Sequence, residues 1–226
     1  MELIKEIVQW RSIRRYKDEP VPDDKLRAVL EAGRLAPSWE NYQPWHFVAV
    51  TDSDIKILFK EISGGQSFLA KAPVVICACA DFRDFAIEKV RERLNELFQS
   101  LTGKEPDKDF IDQKYITNPM MNPSLLGSEI ILARSLEQLS YAVSFMILEA
   151  VHQGLGACVV GAFGNKATRQ LSQAYDELRI RLNLPDDVHP LVLIPIGIPA
   201  EDPNARPRKS FDAICHLERF GERFAE

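Results

Sequence analysis

An α+β layer fold in a single domain is what this sequence predicts, and three observations carry the prediction. Strand-like apolar runs at 45–50, 74–80 and 191–196 are scattered among helical patterns without the regular alternation of a doubly wound sheet. The 226 residues are 46% hydrophobic and 27% charged, with no Pro/Gly/Ser-rich linker, which fits one domain (1–226) with a core that needs no disulfide staple. The glycine-rich stretch 154–161 follows a helical pattern instead of a strand and spaces its last glycine wrongly for a dinucleotide fingerprint, so a Rossmann reading fails.

The elements follow in order. Leu3, Ile4, Ile7 and Val8 recur at helical spacing and predict a short opening helix. Pro22-Asp23-Asp24 starts a second, since proline suits the first turn and acids suit its positive end; Pro37 stops it. WHFVAV (45–50) reads as a strand, and a helix from Ser53 carries Ile57, Leu58 and Ile62. VVICACA (74–80) reads as a buried strand, followed by a charged amphipathic helix with Ile87, Val90, Leu94, Leu97, Phe98 and Leu101 on its apolar positions. The long helix 128–153 has Leu132, Leu136, Leu139, Val143, Met146 and Ala150 at alternating steps of four and three. It is also apolar off that seam, at Ile131, Phe145 and Leu148, as expected of a helix that is either central or shared with a partner. Gly154 and Gly156 close it. A short strand at 157–160, a helix at 166–182, the strand at 191–196 and a final segment at 211–220 complete the chain.

Composition excludes several function classes. A net charge of −5 argues against general nucleic-acid binding. No apolar run reads as a membrane span, and the N-terminus lacks a signal-peptide core, so a cytoplasmic protein is expected. Cys77, Cys79, Cys158 and Cys215 form no CxxC pair, no metal ligand set is expected, and the cysteines are read as reduced. His46, His152, His189 and His216 are scattered and read as structural or surface residues. No side chain is nominated as catalytic.

Two basic clusters stand out in this acidic chain: Arg11, Arg14, Arg15 and Lys17 near the start, and Arg206, Arg208 and Lys209 near the end. They suit a small anion better than a polymer, although solvated surface charge is the reading that the residues alone favour. In Trp10-Arg11-Ser12-Ile13-Arg14-Arg15-Tyr16, two arginines bracketing a serine offer bidentate charge, a hydroxyl and backbone N–H groups to one phosphate. Residues 36–47 combine a helix stop, small polar groups, amides and aromatics before a strand. Such a loop can face a flat heteroaromatic ligand or plug the core with a Trp, and the residues alone do not choose.

These two segments resemble the nitroreductase family of FMN enzymes, whose Arg-Ser-x-Arg motif is followed by Ser-x-x-Asn-x-Gln-Pro-Trp leading into a strand. Asn41, Gln43, Pro44 and Trp45 match the second motif. The likeness recurs at 154–163, at 193–199 and at Arg206-Pro207-Arg208-Lys209, in the family's order. The resemblance implies a three-layer fold with a mixed, mainly antiparallel sheet flanked by helices, in an intertwined homodimer with FMN at the interface. It implies that Arg11, Ser12, Ile13 and Arg14 hold the FMN phosphate with Arg208, and Arg206 assisting. It implies that Ser38 and Asn41 line the flavin across the subunit boundary, and that backbone N–H groups of Gly161 and Ala162 face the flavin's N5 and O4 region. NADH or NADPH would reduce the flavin and a small acceptor, a nitroaromatic or quinone, would reoxidise it in a ping-pong cycle. Trp10 stands where the family often has a further arginine, Gln66 is too loosely matched to assign, and 83–126 is expected to be a variable, lid-like segment. Alternatives within the resemblance are a dehalogenating or flavin-fragmenting branch, or a flavin-storage protein.

Overall fold

Pairing of the apolar runs sets the architecture. In a computed structural model of the chain, which describes residues 2–161 and 173–224, four strands form one antiparallel sheet: β1 (Trp45–Val50), β2 (Val74–Asp81), β3 (Gly156–Ala157) and β4 (Val188–Gly197), in the order β1-β2-β4-β3. All of β2 is buried, because its two faces are both covered and VVICACA supplies apolar side chains to each. Val74, Ile76, Ala78 and Ala80 face one core cluster; Val75, Cys77 and Cys79 face another.

The first cluster packs the sheet against α2 (Asp23–Arg34) and α7 (Ser128–His152). Gly33 makes the close crossing of these helices possible, since a Cβ there would lie 2.1 Å from the terminal methyl of Met146. On the other face lie α3 (Ser53–Ile62), α4 (Phe68–Lys71) and α8 (Gln173–Arg181), contributing Leu58, Phe59, Ile62, Leu69, Tyr175 and Leu178. Helix, sheet and helix thus form the three layers expected. Opposite Ala78 and Cys79 the register of β4 shifts by one, a bulge that lets the consecutive Leu191 and Val192 both join the first cluster. A third, smaller cluster belongs to the 83–126 region. It joins Tyr42 to Phe85, to Val90 and Leu94 of α5 (Ile87–Thr102), to Ile111 of α6 (Lys108–Ile111), and to Tyr115 and Ile116 of a π-helical turn.

Several expectations change. Strand β3 is shorter than 157–160, although Val160 still bridges Leu193, and β4 begins three residues earlier than 191. The expected helix 166–182 lies partly outside the described residues. The 211–220 segment holds only a 3-10 turn at Phe211–Ala213, with Phe211, Ile214, Leu217 and Phe220 exposed. Helix α1 (Lys5–Gln9) buries none of its residues, and Leu3, Ile4, Ile7 and Val8 are all exposed. In α7 the buried face is Ser135, Gln138, Leu139, Ala142, Val143, Met146 and Ala150, a strict 3.6-residue stripe, which leaves Leu136 exposed along with Ile130, Tyr141 and Phe145. Contrary to the sequence expectation, the 25 residues of α7 meet the length and mean hydropathy of a membrane-crossing helix. Its inner stripe is nevertheless part of the first core cluster.

Candidate active site

Residues 12–17 run as a ribbon beside the β3 edge, tied down by isolated bridges at Ser12 and Tyr16. Ser12 bridges Ala157 in parallel, the Ile13 N–H donates to the Ala157 carbonyl at 2.9 Å, and Tyr16 bridges Pro199. Ile13 turns inward, 7% exposed, onto Gly156, where a Cβ would lie 2.7 Å from its Cγ2. On the other side, Ser12 and Arg14 line a cleft of about 400 Å³ together with Arg11, Arg206 and Arg208. The Tyr16 hydroxyl locks the ribbon by donating to the carbonyls of Ile13 at 2.6 Å and Pro195 at 3.1 Å, and burial pushes its pKa far up.

The four arginines lining this cleft make no ion pair among the described residues. Arg11 donates to the carbonyls of Val8 and Trp10, Arg14 to that of Ser12, and Arg208 to that of Pro207. Among the described residues, none of Arg11, Arg14, Arg206 or Arg208 has a carboxylate partner within 4.0 Å. Four guanidiniums and a hydroxyl are the donor set for a phosphate dianion. Burial pushes the neighbouring Cys158 thiol up, against the opposing influence of Arg14 and Ser12. Arg14 also stands 5.8 Å from the ring centroid of Phe68, which places α4 beside the cleft. Gln66, two residues earlier, donates to the Ser63 carbonyl at 2.9 Å.

Ser38 and Asn41 are elsewhere. They belong to the turn before β1, on the opposite edge of the sheet and at its other end, since Trp45 pairs with Ala80 while Ala157 pairs with Ile196. At about 3.3 Å per residue along β4 and about 4.8 Å between strands, the two regions are roughly 25 Å apart. The loop is strained: Glu40, Asn41 and Gln43 have φ of 46°, 53° and 47°. It is held by the Ser38 hydroxyl accepting the Gln43 N–H at 3.0 Å, and by buried Gln138 of α7 accepting the Trp39 N–H at 2.6 Å. Trp39 stacks on Tyr42 with ring centroids 5.2 Å apart, and the Arg134 guanidinium lies over the Trp39 ring at 5.5 Å. Burial raises the Tyr42 hydroxyl to about 12.

Gly161 is exposed, and a Cβ built there would meet nothing within 4 Å, so the chain itself does not demand glycine at that point. Ala162 lies outside the described residues. Sequence reasoning missed Phe68, Cys158 and Glu201 around the cleft. Cys158 sits in an apolar run and reads as a small hydrophobe, while Phe68 and an acid two residues past Pro199 carry no signal of a site.

A profile of the Nitroreductase family matches residues 7–198. The chain belongs to that family. It is 32% identical over 220 residues to a Bacillus subtilis protein named FMN reductase [NAD(P)H], covering 97% of this chain and 74% of that one. It is 31% identical over 192 residues to a Thermus thermophilus NADH dehydrogenase, covering 85% and 84%. Among solved structures, a nitroreductase-like protein from Streptococcus mutans shares the fold, with a TM-score of 0.74 at 18% identity over 96% of this chain and 98% of that one.

Proposed function

We propose that this nitroreductase-family protein is an FMN-dependent oxidoreductase that works as a homodimer. The observation that carries the reading is the convergence of Arg11, Ser12 and Arg14 with Arg206 and Arg208, from opposite ends of the chain, in one cleft of about 400 Å³. These residues would hold FMN by its phosphate, and the flavin would supply the redox chemistry of a ping-pong exchange between NADH or NADPH and a small acceptor such as a quinone or nitroaromatic.

The residues have distinct tasks. Arg11, Arg14, Arg206 and Arg208 neutralise the phosphate, and Ser12 donates its hydroxyl. Ile13 acts as the wedge that aims Ser12 and Arg14, since its own N–H is taken by Ala157. The backbone N–H of Gly161 would face the flavin ring, and there is open space at that point for it; the role expected of Ala162 lies outside the described residues. Ser38 and Asn41 complete the site from a second copy, because the two corners of one chain are too far apart to serve one ligand. The exposed apolar residues at the start of and within α1 (Ile4, Ile7 and Val8) and on α7 (Tyr141 and Phe145) are the surface a second copy would cover. Residues 83–126, with their own small core, act as the lid that shapes acceptor choice.

The test is an absorbance spectrum of the purified protein with added FMN, followed by anaerobic NADH or NADPH. A bound-flavin spectrum bleached by either nucleotide is expected. Flavin that binds but stays oxidised would favour a storage role or a specialised branch; no binding would refute the cleft assignment.

A further inference from the structure

The cleft that gathers four guanidiniums also contains one carboxylate, Glu201. An acid beside an anion site is unfavourable by charge alone, so its contacts have to account for it. Its Oε1 accepts the backbone N–H groups of Arg14 at 2.6 Å and Arg15 at 3.0 Å, and its Oε2 accepts from Arg15 Nε at 2.9 Å. The side chain is only 16% exposed, whereas Arg15 is 76% exposed. Both oxygens are thus occupied by the ribbon's own donors. They are held away from Arg11, Arg14, Arg206 and Arg208, none of which makes an ion pair with Glu201.

Backbone pairing sets up this chelate. Ala200 N–H donates to the Arg15 carbonyl at 2.9 Å, and Lys17 N–H donates to Ile198 at 2.9 Å. Glu201 is the next residue along that pairing, and its side chain folds back over the two N–H groups that the β3 edge leaves unpaired. Two consecutive N–H groups fixed by one carboxylate orient the two peptide planes that flank Arg14, Ile13–Arg14 and Arg14–Arg15. Those two planes fix the direction in which the Arg14 side chain leaves the ribbon, on the Ser12 side, and the Arg15 side chain is left outward.

The geometry points to Glu201 as a positioning residue: it pins the backbone of Arg14 and Arg15 so that Arg14 faces the phosphate and Arg15 does not. The inference rests on the phosphate reading of the cleft and adds the residue that aims its arginine. It predicts phosphate-specific discrimination, because riboflavin shares the ring and ribityl chain of FMN but lacks the phosphate.

The test is fluorescence titration of the apoprotein with FMN and with riboflavin, for wild type, Glu201→Ala and Glu201→Gln. Glu201→Ala should lower the preference for FMN over riboflavin about tenfold, the scale of one charge-assisted hydrogen bond. Glu201→Gln keeps an oxygen acceptor for the two N–H groups and should lower it by about threefold or less. Amide hydrogen exchange at Arg14 and Arg15 should accelerate in Glu201→Ala and stay near wild type in Glu201→Gln, which reads the chelate without any ligand. An unchanged or increased FMN preference in Glu201→Ala overturns the inference while the cleft reading survives. Equal losses in the two variants overturn it as well, since charge and not positioning would then be at work. Wild-type protein that fails to prefer FMN over riboflavin overturns the phosphate reading, and this inference with it.

Discussion

The two corners of the sheet are built on opposite principles. At the β3 edge, the ribbon of residues 12–17 has most of its backbone donors paired, its Ile13 seated against a glycine and its tyrosine hydroxyl shared by two carbonyls. It is a rigid frame that presents unpaired positive charge. At the β1 edge, Glu40, Asn41 and Gln43 occupy the left-handed region, held by one serine, one buried glutamine and an aromatic stack. Backbone strain of this kind costs on the order of 1 kcal/mol per residue and persists only where the surroundings impose it. The frame reads as a preorganised anion site, and the strained loop as a surface shaped for something outside its own chain.

Variants that touch one corner should therefore behave differently from variants at the other. The largest effect belongs to the charge itself. Replacing Arg14 and Arg208 together with Ala should weaken FMN binding about 10³-fold with little change in melting temperature, as calorimetric titration and a thermal melt would show. Next is the frame: Gly156→Val places a side chain on Ile13 and should destabilise the fold by about 1–3 kcal/mol, lowering Tm by several degrees and FMN affinity with it. A Gly156→Val protein with wild-type stability would mean that the ribbon is not tightly seated.

A smaller effect concerns pH. Backbone N–H groups of Arg14, and then Arg15, hold the Glu201 carboxyl below the usual carboxylate range against the opposing effect of its partial desolvation. A carboxyl with a lowered folded-state pKa stabilises the fold fully above its ordinary value, and loses that contribution as pH falls through the lowered one. The amide resonances of Arg14 and Arg15 should accordingly stay unchanged through the ordinary carboxylate range and shift only in more acidic solution. The smallest effect is a gain. Glu40→Gly relieves a φ of 46° and should stabilise the protein by about 0.5–1 kcal/mol in a chemical melt.

What the sequence revealed follows the same division. β2 was readable because a strand covered on both faces must be a continuous apolar run, and VVICACA is one. The arginine clusters were visible because two basic windows are unusual in an acidic chain, and their meeting in one cleft required only that the ends of the chain return to the same sheet edge. Glu201 was not visible, because its partners are backbone N–H groups and backbone leaves no signature in composition. Leu136 misled because the seam marks one margin of the buried face: Leu139, Val143, Met146 and Ala150 are buried, but the face widens toward Ser135, Gln138 and Ala142 and leaves Leu136 outside. The strain at Glu40 and Asn41 was equally hidden: neither residue advertises a positive φ as glycine would.

The central claim is that one FMN site takes its phosphate frame from one copy and its strained loop from another. Complementation tests it directly. A variant lacking Arg14 and Arg208 is mixed with a variant carrying Ser38→Ala and Asn41→Ala, the subunits are exchanged, and bound FMN is measured. If the site spans two copies, each mixed dimer regains one intact site, and flavin binding rises well above that of either parent. If the site lies within one chain, every site in the mixture keeps a defect, binding stays at the level of the parents, and the account is contradicted.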